Sequence, residues 1–155
     1  MRVIAVGSRM PDWVLAACED YRRRVRPPWS LQLTELPATR RGQGAEAGAR
    51  ARIAEGRRIL AQLQAREQAV ALDERGEQWS TTELAAWLRG QQSAGLPLAF
   101  IIGGADGLDR AVLLRGARRW SLSRLTLPHG LARVLLMEQL YRATSLLNGH
   151  PYHRA

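Results

Sequence analysis

The run PLAFIIGG, residues 97–104, constrains the fold of this chain more than any other stretch. It is apolar without alternation and stops on two glycines. Such a run reads as a buried strand. The residues around it repeat the theme. MRVIAVGS (1–8) is a second apolar, β-branched run ending at a glycine, and QAVALD (68–73) is a third buried-type strand. Residues 30–36 alternate imperfectly through Leu31, Leu33 and Leu36 and read as a strand. SLSRLTLP (121–128) alternates Leu122, Leu125 and Leu127, and reads as a strand end running into a loop at Pro128-His129.

Helical patterns separate these strands. Pro11 and Asp12 open a helix with apolar rows at i, i+4 spacing, Trp13, Ala17 and Tyr21 beside Val14 and Cys18, which ends before Pro27-Pro28. Residues 38–48 have the composition of a loop. Ala49, Ile53, Gly56, Leu60 and Leu63 then follow at 4-3-4-3 spacing, which predicts an amphipathic helix. Residues 74–79 read as a loop. Ser80 and Glu83 have capping-box spacing and start a helix to about Gln92. A short helix is expected around 108–118. Residues 131–147 form a long amphipathic helix, with Leu131, Val134, Leu135, Leu140, Ala143, Thr144 and Leu147 towards one side. Glu138 and Arg142 are i, i+4 neighbours on it. Strands alternating with helices predict an α/β domain with a mostly parallel sheet. With 155 residues, no internal repeat and no linker, a single domain over 1–155 is expected.

Charge narrows the partners. The formal net charge is +9, and all 23 basic side chains are arginine. GC-rich coding accounts for arginine in place of lysine, but not for the excess. An excess of this size points to a polyanionic partner, most often nucleic acid. The densest cluster is Arg40, Arg41, Arg50, Arg52, Arg57, Arg58 and Arg66, which is either an RNA contact or a solvated helix face. No apolar run is long enough to span a bilayer, and the N-terminal run is too short for a signal-peptide core, so a cytoplasmic protein is expected, with no membrane partner. Cys18 is the single cysteine, and His150 and His153 have no third ligand nearby, so no metal site is expected.

The segments that can carry chemistry are strand ends. In FIIGGADGL (100–108) a buried strand runs into a glycine-rich turn and then a helix, the place where open α/β sheets bind ligands. Glycines at 103, 104 and 107 fail the dinucleotide spacing, which argues against a nucleotide-dependent oxidoreductase, and the phosphate-loop motif is absent. ALDERG (71–76) and SLSRLTLPHG (121–130) offer two further strand ends, whose backbone groups could converge on an adenosine-like ligand.

Taken together, VGSRMPDW, LDERG, IIGGADGL, WSLSRLTLPH, RVLLMEQLYRA and the terminal NGHPYHR resemble, in order and over almost the entire chain, the bacterial ribosomal RNA large subunit methyltransferase H family, 23S rRNA (pseudouridine(1915)-N(3))-methyltransferases of the SPOUT superfamily. The resemblance implies an α/β fold with a C-terminal deep trefoil knot. It implies S-adenosyl-L-methionine held by Leu72, Gly103, Gly104 and the run Leu122, Ser123, Arg124, Leu125, Thr126 and Leu127. It also implies a homodimer with active sites shared between subunits, and a substrate pseudouridine in 23S rRNA of the assembled 70S ribosome.

Methyl transfer from sulfonium to nitrogen needs in-line positioning and a deprotonated imide. On that basis His153 and Arg154 are expected to act on the target base and Tyr152 to orient it, with the tail reaching across the dimer. His129 is expected to position groups near the cofactor. Arg133 and Arg142 are candidates for RNA phosphate contact or for an ion pair with Glu138. Asp106 places a carboxylate where the family usually has glutamate, so it is a substrate-side candidate on a shorter arm. Ala155 stands where some members end in glutamate. Two rival readings are a non-catalytic RNA-binding factor and a methyltransferase acting on transfer RNA.

Overall fold

The computed structural model describes residues 1–40, 42 and 44–153, with the backbone alone at His153. Its frame is a sheet of five strands: β1 (Arg2–Val6), β2 (Gln32–Leu36), β3 (Gln68–Gln78), β4 (Leu98–Ile102) and β5 (Arg118–Ser121). Their order is β2-β1-β4-β3-β5, and every pair is parallel. The apolar run over 97–104 becomes the central strand β4, all five of whose residues are buried.

Helices cover both faces, because a central strand with apolar side chains on both sides needs two covers. On one face, α1 (Asp12–Arg24), α3 (Thr81–Ser93) and α5 (His129–Leu147) bring Val14, Cys18, Leu84, Leu88, Leu136, Met137 and Leu140 against Val3, Val70 and Phe100. On the other, α2 (Ala45–Gln62) and α4 (Arg110–Arg115) bring Ile59 and Val112 against Ile4, Ala71 and Ile101. The capping box at the start of α3 is formed: Ser80 Oγ accepts from the Glu83 N–H, and Glu83 accepts from the Ser80 N–H. Among the described residues, no helix is long and apolar enough to cross a membrane.

Five local expectations change. Helix α2 begins at Ala45, inside the stretch expected as loop. Its glycines are seats for another segment: a Cβ on Gly48 would lie 3.0 Å from Asp106 Oδ1, and one on Gly56 would lie 2.6 Å from the Asp109 Cβ. Its buried stripe is Gly48, Ala51, Glu55, Gly56 and Ile59, while Ile53 is exposed. The stripe is rotated because Glu55 faces inward, where its carboxylate accepts the Thr39 N–H at 2.8 Å.

Strand β3 continues through the stretch expected as loop, as far as Gln78. Leu72 and Glu77 both register with Trp120, so residues 73–76 bulge out between two paired segments. Turn-forming residues there mark a bulge, not an end. Strand β5 is Arg118–Ser121, and the alternating leucines of 121–128 follow it as a loop. Arg118 and Arg119 are exposed on this edge strand, where charge blunts an open edge and hides the strand from a hydrophobicity reading. In α5 the buried residues include Arg133, Leu136 and Met137, and Leu131 is exposed.

Candidate active site

All strands being parallel, their carboxyl ends share one edge of the sheet, and a cavity of about 370 Å³ opens there. Three loops wall it: 72–74 after the first half of β3, 103–107 after β4, and 122–127 after β5. His129 and Ala132, from the first turn of α5, close the remaining side. Of the residues expected to hold a cofactor, Leu72, Gly103, Gly104, Leu122, Ser123, Leu125, Thr126 and Leu127 all line this cavity; Arg124 does not.

The loop geometry follows from the residues. Gly107 has φ +78°, its N–H donates to the Gly104 carbonyl at 3.0 Å, and the two glycines form an isolated bridge. A Cβ at Gly103 would lie 2.7 Å from the Gly107 carbonyl carbon, so the strand passes the turn in backbone contact. A Cβ at Gly104 would strike the Glu55 carboxylate. In the loop after β5, Ser121 Oγ donates to the Ser123 carbonyl at 2.8 Å, and the Leu125 N–H donates to Ser123 Oγ at 2.9 Å. These bonds turn the apolar side chains of Leu122 and Leu127 into the wall without a strand partner.

The charge of the wall is the reverse of the chain's. No arginine among the described residues lines the cavity; its charged residues are Asp73 and Glu74. Asp73 also accepts from Arg119 at 3.0 Å. His129 is half-buried at the wall, and its pKa is lowered by burial and by the adjacent Arg133 guanidinium.

Arg133 is not the exposed phosphate contact or Glu138 partner that its sequence position suggested. Its side chain is fully buried and pairs with Glu35 of β2, Nη1 to Oε1 at 2.5 Å. Nη2 donates to the carbonyls of Gly7 (2.6 Å) and Val6 (3.3 Å), and lies 3.2 Å from His129 Nε2. Helical spacing alone cannot show this, because the partner comes from a strand 98 residues earlier. Asp106 lies outside this cavity, in an adjoining groove, packed on Gly48 of α2.

The remaining candidates gather at the other end of α5. Arg142 pairs with Glu138 at 2.7 Å. Tyr152 packs on Tyr141, ring centroids 4.5 Å apart, with the Arg142 guanidinium 4.8 Å from its ring. Burial, a hydrogen bond with Tyr21 and the Glu138 carboxylate push the Tyr152 phenol up to about 12. Arg142 lies thirteen helical steps beyond His129, which is ~20 Å of axial rise. Within one chain, then, Tyr152 and Arg142 stand well away from the cavity. The His153 side chain and Arg154 lie outside the described residues, as does Arg41 of the basic cluster. In that cluster Arg40, Arg50, Arg57 and Arg66 are exposed, while Arg58 donates to the Pro37 carbonyl and Thr39 Oγ1.

Known proteins share this architecture. The family model described as "Predicted SPOUT methyltransferase" matches residues 1–153. Ribosomal RNA large subunit methyltransferase H of Thiobacillus denitrificans is 53% identical over 154 residues, covering 99% of this chain and 98% of that protein. The protein of the same name from Alkalilimnicola ehrlichii is 54% identical over 155 residues, covering 100% and 99%. A solved methylase family protein from Haemophilus influenzae Rd KW20 has a TM-score of 0.55 at 12% identity, over 99% of this chain and 70% of that one; that likeness speaks for the fold.

Proposed function

The chain belongs to the SPOUT methyltransferase family, and from that premise we propose that it transfers a methyl group from S-adenosyl-L-methionine to N3 of a pseudouridine in 23S rRNA of the assembled 70S ribosome. The observation that carries this reading is the cavity at the strand ends: none of the described residues that line it is an arginine, in a chain that holds 23 of them, and two carboxylates stand in its wall. Such a wall fits a cationic ligand with an apolar, adenosine-sized body, and its volume lies in the range of small-molecule sites. Gly103 and Gly104 leave room for close backbone approach. Bound there, the cofactor supplies a methyl group on a positively charged sulfur.

The chain's own residues bind, orient and handle a proton. Leu72, Leu122 and Leu127 give the apolar walls, and the 103–107 backbone gives polar groups for the ligand. His129 stands at the side from which the target base enters. The imide proton of the base must leave before its nitrogen can attack. We assign that proton to His153, the resulting anionic edge to Arg154 and the stacking of the base to Tyr152, all from the partner's tail. The tail of the same chain packs ~20 Å along α5 from His129, which supports a shared site in a homodimer. Arg142 serves as a positioning residue for Tyr152, through the contact of its guanidinium with the phenol ring. The trefoil-knotted threading of the C-terminal segment, a single domain over 1–155 and a cytoplasmic setting belong to the same reading.

The test is transfer of labelled methyl to 70S ribosomes, 50S subunits and free 23S rRNA, each lacking the modification. Label confined to 70S at a single pseudouridine is expected. Cofactor binding with no transfer to any of the three would point to another RNA, such as transfer RNA. No cofactor binding at all would leave a non-catalytic RNA-binding factor as the better reading.

A further inference from the structure

No arginine among the described residues lines the cavity, yet one buried guanidinium lies just behind its wall. Arg133 is fully buried, its Nε has no hydrogen-bond partner among the described residues, and its other nitrogens tie Glu35, Val6, Gly7 and His129 together. Three elements meet at this cation: β1 and the glycine after it through two carbonyls, β2 through a carboxylate and α5 through its first turn. A guanidinium has only donors and stays charged at any working pH. A ring nitrogen 3.2 Å from it is therefore poorly placed to become a cation. His129 is also the first residue of a 19-residue helix, where the dipole further disfavours positive charge.

We propose that Arg133 is a positioning residue that keeps His129 a neutral imidazole at the cavity wall, so that the site discriminates by charge between a sulfonium donor and its neutral thioether product. The proposal rests on the cofactor reading above. Glu35 balances Arg133, so the pair restrains the ring while adding no net charge behind the wall. A protonated His129 would put a unit charge beside a cationic ligand and favour the product. The other titratable groups are Cys18 of α1, which feels both members of the pair, and Asp73 and Glu74, which line the same cavity as His129. β1 contributes the Val6 backbone, whose hydrogen bond with His129 raises the ring's pKa against burial and Arg133.

Three variants of the full chain separate this role from a merely structural one. In the charge-balanced double variant Arg133→Gln/Glu35→Gln, His129 should titrate at a higher pH than in the parent by NMR, with burial still holding it below its ordinary value. Affinity for the sulfonium cofactor should then fall about tenfold more than affinity for the demethylated thioether between pH 8 and pH 5.5. That is the effect of one unit charge roughly 10 Å away at an effective dielectric of about 20. In Glu35→Gln, Arg133 is left unbalanced, so the sulfonium should weaken selectively by a similar factor at every pH. Arg133→Lys, which keeps the charge, should retain the flat pH profile of the parent. Equal weakening of both ligands in either of the first two variants, or an unchanged His129 titration in a folded double variant, overturns the proposal. A parent chain that binds neither ligand overturns the cofactor reading along with it; binding of both with no pH-dependent difference in the double variant overturns this proposal alone.

Discussion

Replacing Gly103 by alanine tests whether the glycine loop is as tightly set as its geometry implies. The added Cβ would lie 2.7 Å from the Gly107 carbonyl carbon, 2.8 Å from the Gly107 oxygen and 3.0 Å from Leu108 Cδ2. The first two are backbone atoms, so no rotamer change relieves the contact. Reaching an ordinary separation of 3.4 Å requires the turn to move by about 0.7 Å. Overpacking of this kind costs typically 1–3 kcal/mol. Gly103, Gly104 and Gly107 all line the cavity, so the displacement falls on the ligand site. If the turn moves, the strain emerges as lost affinity, roughly fivefold to 150-fold at 1.4 kcal/mol per factor of ten. If the turn holds, it emerges as lost stability, a fall in Tm of ~2–12 °C for a domain of this size. Calorimetric titration with S-adenosylmethionine and a thermal melt measure both. A variant with parental affinity and parental Tm would refute the reasoning, because the strain must go somewhere.

Three other outcomes follow from the structure. The His129 pKa lies below its unfolded value of ~6.5, so the unfolded chain binds more protons and the stability this neutral ring contributes is complete above ~6.5 and lost as pH falls through it towards the native pKa; His129→Asn should flatten urea midpoints between pH 7.5 and 5.5, and an unchanged slope would contradict the assignment. Charge reversal at Arg50 and Arg57, both exposed on α2, should weaken ribosome binding and lower the slope of log affinity against log salt by about 2 or more, while leaving S-adenosylmethionine affinity unchanged; an unaltered slope would mark this face as merely solvated. Gly90→Ala, in the interior of α3 with open space around the new methyl, should raise stability by up to about 1 kcal/mol, read from denaturant midpoints.

Sequence patterns made the central strand, the capping box and the strand-end loops legible, because each depends on neighbours within a few residues. They misplaced features that depend on distant segments. Gly48 looked like loop composition and Gly56 like one more place in a helix stripe, but both are helix positions emptied to admit Asp106 and Asp109. Residues 73–76 looked like a strand end, but they are a bulge imposed by pairing with β5. Arg118 and Arg119 hid an edge strand. Arg133 looked like a surface charge because its carboxylate partner stands on β2, far away in the chain. The residues assigned to the cofactor came from resemblance to a family; composition and spacing alone reached only the strand ends. Nothing within a few residues of Tyr152 revealed that the tail folds back on Tyr141 and Arg142.

The seating of α2 against the glycine loop has a thermodynamic consequence. Gly48 faces Asp106, Glu55 faces Gly104 and Gly56 faces Asp109, so the loop is held along its length from behind. Fixing one backbone residue costs ~1–2 kcal/mol of conformational entropy. For residues 103–107 that cost is met when the chain folds, not when a ligand arrives. Contact energy from this loop can therefore appear as affinity with little subtracted for ordering. The same arrangement makes ligand affinity hostage to α2: a substitution that loosens the helix, even on the side remote from the cavity, returns the ordering cost to the binding step.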